Sequence, residues 1–333
     1  MSLAILLKLL AVFAVVALGW VAGRARWLGD GSDGDAARVL SAAAFHLFVP
    51  ALLFRTTARL DLARMPWSTT VAFFVPALGL LLAVYAVQRV RRAGGAGPAP
   101  ASLPAAPGVR ALAATFGNTV QLGIPMVSAL FGEAALSVHL AIVSMHALTL
   151  LTTVTLLVEL DCARAQAREA GARAPLGRTL AATVRATVIH PVVLPVLAGL
   201  AWNAAGLRLA PLVDETLLLL GQAVVPLCLV VIGVSLERHG LKGNLRGALW
   251  IGVVKLVVLP ALVLVAGRWG AGLHGMPLAT IVLCAALPAG SNPQLFAHRY
   301  RTLEAETGAA VVVSTLAFAA TAPLWLALAA AVG

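Results

Sequence analysis

The chain has 333 residues, of which 61% are hydrophobic and only 11% charged, and its mean hydropathy is +0.96. A water-soluble domain of this size cannot cover its surface with so few polar residues, so the composition predicts an integral membrane protein without a large soluble domain. The net charge of +11 comes mostly from short connections between apolar segments, so it indicates membrane topology, and we expect no nucleic-acid partner.

Ten apolar segments follow one another along the chain, and about 20 apolar residues are enough to span a bilayer core. They cover residues 3–22, 39–54, 65–87, 109–131, 134–157, 184–205, 213–236, 248–267, 277–297 and 308–332. The first segment is a full span long and has no basic cluster before it, so we expect a retained helix and not a signal peptide. The sequence therefore predicts an all-α membrane protein with ten transmembrane helices.

The basic residues indicate the orientation, because Lys and Arg in short loops stay on the cytoplasmic side. With the N-terminus outside, the inner loops hold 17 Lys and Arg residues and the outer loops hold 5. This asymmetry predicts an even number of spans with both termini outside. For a bacterial inner membrane, which the richness in Ala and Arg favours, both termini are then periplasmic.

Two stretches do not have the composition of a span. Residues 93–108 consist mainly of Ala, Gly and Pro and are predicted to be a flexible inner connection. Residues 161–178 form the longest polar stretch and separate five spans from five. The predicted organisation is a first five-helix repeat over 1–160, a cytoplasmic central loop over 161–178, and a second, inverted five-helix repeat over 179–333.

The inverted repeat is predicted because five is an odd number, so two related halves of five spans must lie in opposite orientations. Proline-containing motifs recur in the same order in both halves. The pairs are VPALL (49–53) with VPLCL (225–229), VPAL (75–78) with LPAL (259–262), and NTVQLGIP (118–125) with LPAGSNPQ (287–294). Each match alone is weak, and their common order is the evidence.

The fourth and ninth spans carry the predicted site. Their prolines lack the backbone donor that a helix needs and their glycines permit non-helical angles, so each span is predicted to break near the membrane centre. Backbone groups that lose their helical partner at this depth are tolerated only against protein or a water-filled cavity. The N-terminus of a half-helix favours an anion such as a carboxylate, and the unpaired carbonyls can bind a cation. The predicted substrate-binding residues are Asn118, Gln121, Gly123, Pro125, Pro288, Gly290, Ser291, Asn292 and Pro293.

At these residues the sequence resembles the auxin efflux carrier family, which includes bacterial permeases for malonate, malate and other small organic anions. The matching stretches are 45–58 with LFVPALLFR, NTVQLGIP (118–125), VPLCLVVIGVSL (225–236), KLVVLP (255–260), LPAGSNPQLFAHRY (287–300) and STLAFAAT (314–321). The resemblance covers all ten spans, and Asn, four residues, Gly, one residue, Pro is its most specific motif. The sequence departs from the family at His190-Pro191, where Asn-Pro is usual, and at Pro293, which adds a proline to the ninth span.

The resemblance implies a fold like that of bile-acid sodium symporters, in which two inverted five-helix repeats cross their broken helices 4 and 9. The substrate then lies at the crossing, with Asn118 contacting a carboxylate. Spans three to five and eight to ten form a moving unit against a scaffold of the others. The implied activity is secondary transport by alternating access, without ATP.

Ionisable residues in the membrane are expensive and therefore candidates for function. Lys255, in the eighth span, either balances a bound anion, takes the place of a coupling sodium ion, or pairs with backbone carbonyls of the ninth span. His139 and His146 are seven residues apart and share a helix face. They are either hydrogen-bonded packing residues or a proton-coupling pair.

The predicted function is secondary transport of small organic anions, either auxin-like molecules or mono- and dicarboxylates. Transport is coupled to a sodium ion, to a proton or to neither, and the transporter is a monomer or a homodimer. Alternatives are an importer of another solute driven by sodium or protons, a channel-like or signalling module, and an intramembrane enzyme. The sequence has no metalloprotease His motif, Gly-rich phosphate loop or zinc-ligand spacing. We therefore expect no catalytic residues, no metal site and no cofactor.

Overall fold

The computed structural model describes residues 3–28, 36–59, 67–93, 103–169, 193–239 and 244–333. The described chain is helical, and its only bridge of β type joins Gly117 to Ala289. The helices are α1 (Leu3–Arg24), α2 (Ala36–Ala43), α3 (Val49–Ala58), α4 (Trp67–Ala93), α5 (Ala106–Thr115), α6 (Ile124–His146), α7 (Thr152–Glu169), α8 (Val193–Ala204), α9 (Pro211–His239), α10 (Leu245–Val253), α11 (Leu259–Val265), α12 (Gly275–Ala286), α13 (Asn292–Arg299) and α14 (Glu304–Val332).

Five wider π-helical turns interrupt these helices, at Ala44–Phe48, Thr119–Gly123, Ala147–Leu151, Val254–Val258 and Ala266–Gly270. Three of them precede a helix whose second residue is proline, namely Pro50, Pro125 and Pro260. A proline cannot donate a hydrogen bond to the carbonyl four residues earlier. The turn before it therefore widens, and its hydrogen bonds run between residues five apart in place of four. These three wide turns are therefore the local response of a membrane helix to its prolines.

Six described helical segments are long and apolar enough to cross a membrane: Arg38–Ala58, Trp67–Arg92, Ala134–Ala167, Pro211–Val231, Leu245–Gly270 and Glu304–Val332. Shorter apolar helices cover Ala14–Arg24, Leu194–Ala204 and Gly275–Ala286. The protein is thus an all-helical, multi-pass membrane protein. The predicted sixth span, residues 184–205, is described only from Val193, so His190-Pro191 lies outside the described residues and the count of ten spans stays a prediction.

The structure differs from the sequence prediction at both connections. Helix α7 continues to Glu169, so the first part of the stretch 161–178 is helical, and 170–178 lies outside the described residues. Helix α5 begins at Ala106, inside the stretch 93–108, because Pro107 occupies the first turn, where its missing donor is harmless. Residues 94–102 lie outside the described part of the chain.

The predicted boundary between the fourth and fifth spans falls at Gly132. Helix α6 runs through this residue, but its φ of 73° and ψ of −165° are not helical. A left-handed φ is easily adopted only by glycine. Gly132 therefore turns the chain between the two spans.

The helices pack in two groups. In the first, α1 packs along α9, and α3 packs between α8 and α9. In the second, α4 packs on α5, and α10 and α12 pack on α14. The groups meet where α9 contacts α14, where α2 contacts α13 and where α3 contacts α6. We call them the α1–α3/α8–α9 group and the α4–α7/α10–α14 group.

Each group is held together by ion pairs between its own helices. In the first group Asp214 of α9 pairs with Arg55 of α3 at 2.9 Å and with Arg59 at 2.8 Å. In the second group Arg110 of α5 pairs with Glu306 of α14 at 2.6 Å, with both side chains buried. These ion pairs connect helices of the same group, and other residues make the contacts between the two groups.

Candidate functional site: two paired helix breaks

The candidate site is built from two interruptions of helical structure that hydrogen-bond to each other. Helix α5 ends at Thr115, and α12 ends at Ala286. The backbone nitrogen of Asn118 donates to the carbonyl oxygen of Pro288 at 2.8 Å, and that of Gly290 donates to the carbonyl oxygen of Phe116 at 2.9 Å. Gly117 and Ala289 thereby form an antiparallel bridge.

Side chains satisfy further backbone groups that the two breaks release. The backbone nitrogen of Ala289 donates to Oγ of Ser314 in α14 at 3.1 Å. The carbonyl oxygen of Thr119 accepts a hydrogen bond from Nε2 of His139 at 2.7 Å. Because an unpaired polar backbone group buried in protein costs free energy, these bonds allow irregular backbone at this depth.

Lys255 has a similar role from a third helix. Its side chain is fully buried, and its Nζ donates to the carbonyl oxygen of Ala285 at 2.6 Å. This carbonyl belongs to the last turn of α12, directly before the ninth-span break. Of the three interpretations of Lys255 left open by the sequence, the contact with a backbone carbonyl of the predicted ninth span is the one present in the structure. This contact places Nζ of Lys255 beside the bridge.

Small residues let the two breaks approach. A Cβ placed on Gly290 would lie 3.0 Å from the carbonyl oxygen of Gly117 and 3.3 Å from the Phe116 ring. A Cβ on Gly117 would lie 3.4 Å from Nζ of Lys255. Glycine at position 117 therefore lets Lys255 lie close to the bridge, and a side chain at position 290 would crowd the backbone of Gly117.

The fourth-span break lies nearer the N-terminus than the prolines predicted. The irregular residues are 116–118, whereas Thr119–Gly123 keep a helical, if wide, turn and Pro125 is the second residue of α6. In the ninth span Pro288 does lie in the break, and Pro293 is in the first turn of α13. That position suits proline, since its missing donor is not needed there, so Pro293 starts a helix and does not break one.

A cavity lies beside the bridge, between the two helix groups. It contains about 670 Å³ of non-atom space, part of it open to solvent. From the α1–α3/α8–α9 group it is lined by Val49, Leu52, Leu53, Thr56, Thr57 and Val224, and from the other group by Phe116, Gly117, Asn118, Thr119, Val120, Val143, His146, Gly290, Ser291 and Asn292. Apolar walls with a few converging polar groups are typical of small-molecule sites.

Four of the predicted substrate-binding residues line this cavity: Asn118, Gly290, Ser291 and Asn292. Gly123 is buried against His139, since a Cβ on it would lie 2.6 Å from Nε2 of that residue. Pro288 and Pro293 are not among the lining residues. The structure describes the backbone of Gln121 and Pro125 but not their side chains.

The two histidines that share a helix face have different surroundings. His139 is hydrogen-bonded to the carbonyl of Thr119, so it supports the break. His146 lies against the ring of Phe116, with centroids 4.2 Å apart, and lines the cavity. No described residue hydrogen-bonds to either ring nitrogen of His146. His146 thus lines the cavity, whereas His139 supports the break.

The residues of α3 that line the cavity were not predicted from the sequence. Thr56 and Thr57 line the cavity opposite the breaks, and their hydroxyls donate to the carbonyls of Leu52 and Leu53 in their own helix. The adjacent pair of threonines after the stretch VPALLFR was the available signal. Among the described residues, no group of three or more His, Cys, Asp or Glu side chains could hold a metal ion.

Comparison with known proteins gives the family. The model of the family described as "Membrane transport protein" matches residues 4–326. The chain is also similar to a protein of Rhizobium meliloti (strain 1021) named "Putative malonate transporter", with 26% identity over 320 residues, which are 94% of this chain and 92% of that protein. The chain therefore belongs to the membrane transport protein family, that of the auxin efflux carriers, and is a membrane transporter and not an enzyme.

Proposed function

We propose that this transporter carries small organic anions, with mono- and dicarboxylates such as malonate as the substrate class. The observation that carries the proposal is that Asn118 and the N-terminus of α13, at Ser291 and Asn292, line one cavity. An amide donates hydrogen bonds to a carboxylate, and the N-terminus of a helix carries partial positive charge. The name of the relative from Rhizobium meliloti adds support for this substrate class.

The charge around the cavity also favours an anion. None of the described lining residues is Asp, Glu, Lys or Arg. Nζ of Lys255 lies behind Gly117, one residue from Asn118, and in its protonated form it would attract an anion in the cavity. Lys255 then balances the substrate charge without contacting the substrate, while Asn118, Ser291 and Asn292 bind it.

The transport cycle that we propose is alternating access. The cavity lies at the seam between the two helix groups, so a shift of the α4–α7/α10–α14 group along the other would carry Asn118 and α13 together and would open the cavity to the opposite side. The repeated motifs of the two halves support an inverted repeat over 1–160 and 179–333 around the central loop 161–178. The asymmetry of basic residues supports a bacterial inner membrane with both termini periplasmic.

Counterflow of radiolabelled malonate into proteoliposomes tests the proposal. A carrier gives saturable exchange that unlabelled malonate inside the vesicles accelerates, because the loaded carrier returns faster than the empty one. A channel gives flux without this acceleration, and an importer of another solute gives no malonate exchange. Repeating the assay with and without sodium, and with and without a pH gradient, distinguishes the two coupling ions. Absence of exchange for all small carboxylates would overturn the proposed substrate class.

A further inference from the structure

A second pocket lies at the same seam, away from the paired breaks. It contains about 610 Å³ of non-atom space, part of it open to solvent. On one side it is lined by Arg38, Ser41, Ala42 and His46 of the segment that leads into α3. On the other side it is lined by Leu295, His298, Arg299 and Arg301 at the C-terminal end of α13. Like the central cavity, it takes one wall from each helix group.

The pocket concentrates positive charge. Its lining includes three guanidinium groups and no carboxylate. Glu304 is nearby, but Oε2 of this residue is engaged by Nδ1 of His298 at 2.8 Å. Among the described residues no carboxylate forms an ion pair with Arg38 or with Arg301. Arg38 and Arg301 are like charges at one opening, so an anion between them would be stabilising.

A buried hydroxyl points to a ligand independently of the charge. The side chain of Ser41 is only 5% exposed, and its Oγ has no hydrogen-bond partner among the described residues. Buried polar groups in native proteins almost always have a partner, so a group without one is a candidate for binding something else. Since Ser41 lines the pocket beside Arg38, an anion oxygen bound there would supply that partner.

Arg301 has an unusual backbone for an arginine. Helix α13 ends in a Schellman arrangement, in which the backbone nitrogen of Thr302 donates to the carbonyl oxygen of Ala297 at 2.9 Å and that of Arg301 to the carbonyl oxygen of His298 at 3.2 Å. The residue that turns the chain in this arrangement is usually glycine, because its φ is positive. Arg301 takes that position with a φ of 48°, which is strained for a residue with a side chain. This strained turn places an arginine among the residues that line the pocket.

We propose that the pocket between α2 and α13 is a second anion site, which binds a carboxylate or phosphate group through Arg38, Arg299, Arg301 and the hydroxyl of Ser41. Guanidinium groups bind both kinds of oxyanion in bidentate geometry. The anion comes either from solution, as a free carboxylate or phosphate, or from the headgroup of an acidic lipid. In both cases it joins the two helix groups, because its ligands come from both.

Two variants and one control test the site. Arg301→Gly removes the charge and relieves the strained turn, so this protein is expected to fold at least as well as the wild type. Ser41→Ala removes only the hydroxyl. Arg91→Gln is the control, because Arg91 is an exposed arginine of α4 outside the pocket. All three are made in an Asn118→Ala background, so that the central site does not contribute to anion binding.

Isothermal titration with malonate and with inorganic phosphate tests free anions, on full-length protein in a neutral detergent. Native mass spectrometry of protein taken from phosphatidylglycerol nanodiscs tests the lipid headgroup. We expect one of these three probes to bind, Arg301→Gly to weaken binding at least tenfold, Ser41→Ala to weaken it by a smaller factor, and Arg91→Gln to leave it unchanged. Binding that all three variants reduce equally, or no binding of any probe, overturns the proposal. Because these assays require no transport, their outcome is independent of the counterflow result.

Discussion

The backbone of Asn118 and the backbone of Pro288 form one hydrogen bond of 2.8 Å between two helices that are both interrupted at this point. The bond occupies the backbone donor of Asn118, and the same residue is among those that line the cavity. Asn118 therefore joins the two breaks through its main chain, and in the function proposed above its amide binds the substrate. A change of the side chain can then be expected to affect binding and to leave the join intact.

Asn118→Ala should abolish malonate binding while the protein remains folded. The amide that contacts the carboxylate is lost, and the backbone bond to Pro288 remains. Isothermal titration measures the affinity, and a thermal unfolding curve measures the stability. Asn203→Ala is a suitable control, because Asn203 lies in α8 and donates to the carbonyl of Ala58, away from the cavity. Normal malonate affinity in Asn118→Ala would remove this residue from the site.

Lys255→Met should change the charge that moves with the substrate. The substitution keeps most of the side-chain volume and removes the ammonium group beside the bridge, so malonate transport is expected to change its dependence on membrane voltage, sodium or pH. Transport currents recorded from proteoliposomes on a supported membrane measure this dependence. An identical voltage, sodium and pH response in both proteins would assign Lys255 to structure alone.

Ser314→Ala should destabilise the protein by about 1–3 kcal/mol, because the backbone nitrogen of Ala289 would lose its partner while it remains buried. Thr315→Val is the matched control. Its hydroxyl donates only to the carbonyl of Val311 in its own helix, at 2.7 Å. Thermal unfolding in detergent compares the two variants, and equal melting temperatures would argue against a structural role for the Ser314 bond.

Gly290→Ala should push the two breaks apart and reduce malonate exchange more than it reduces stability. The added methyl group would meet the carbonyl oxygen of Gly117 at 3.0 Å, and that atom is backbone and cannot rotate away. Gly79→Ala provides the comparison, since a Cβ on Gly79 of α4 meets nothing within 4 Å. Alanine at position 79 is expected to be neutral or to stabilise the helix by up to about 1 kcal/mol. If both variants exchange malonate at the wild-type rate, close approach at Gly290 is not required.

Arg110→Gln should cost about 3–5 kcal/mol, because it leaves the buried carboxylate of Glu306 without its ion-pair partner. The double variant Arg110→Gln/Glu306→Gln removes both charges and should recover part of that stability. Arg91→Gln again serves as the control for a lost arginine. Chemical unfolding of the wild type, the single variants Arg110→Gln and Glu306→Gln, and the double variant measures the coupling, and additive effects of the two substitutions would show that the pair is not coupled.

The sequence predicted an all-helical membrane protein correctly because composition and hydropathy report directly on the surrounding solvent. Nothing in the periodicity of residues 106–125 showed where the helix would stop. Pro125 and Gly123 indicated a break, but the wide turn Thr119–Gly123 absorbs the missing donor of Pro125, and the irregular residues are 116–118. The partner of each freed backbone group lies in another span, so only the packed structure determines which residues stay helical.

The same limit applied to the site residues. Asn118 and Asn292 could be selected because an amide side chain beside proline and glycine in an apolar span is costly to bury unless it binds a polar group. Thr56, Thr57 and the wall of α3 could not, since their contribution depends on which face of α3 meets the second helix group. Composition could not identify the class of protein, and the match to the family model did.

The bond between Asn118 and Pro288 also has a consequence for how the protein is made. When the ribosome has delivered only residues 1–160 to the bilayer, the carbonyl oxygen of Phe116 has no Gly290 to accept from. The early half therefore inserts with an incomplete interior, and biogenesis ends only when the late half docks against it. Expressed separately, the early half should be degraded quickly, and co-expression of the late half should rescue it.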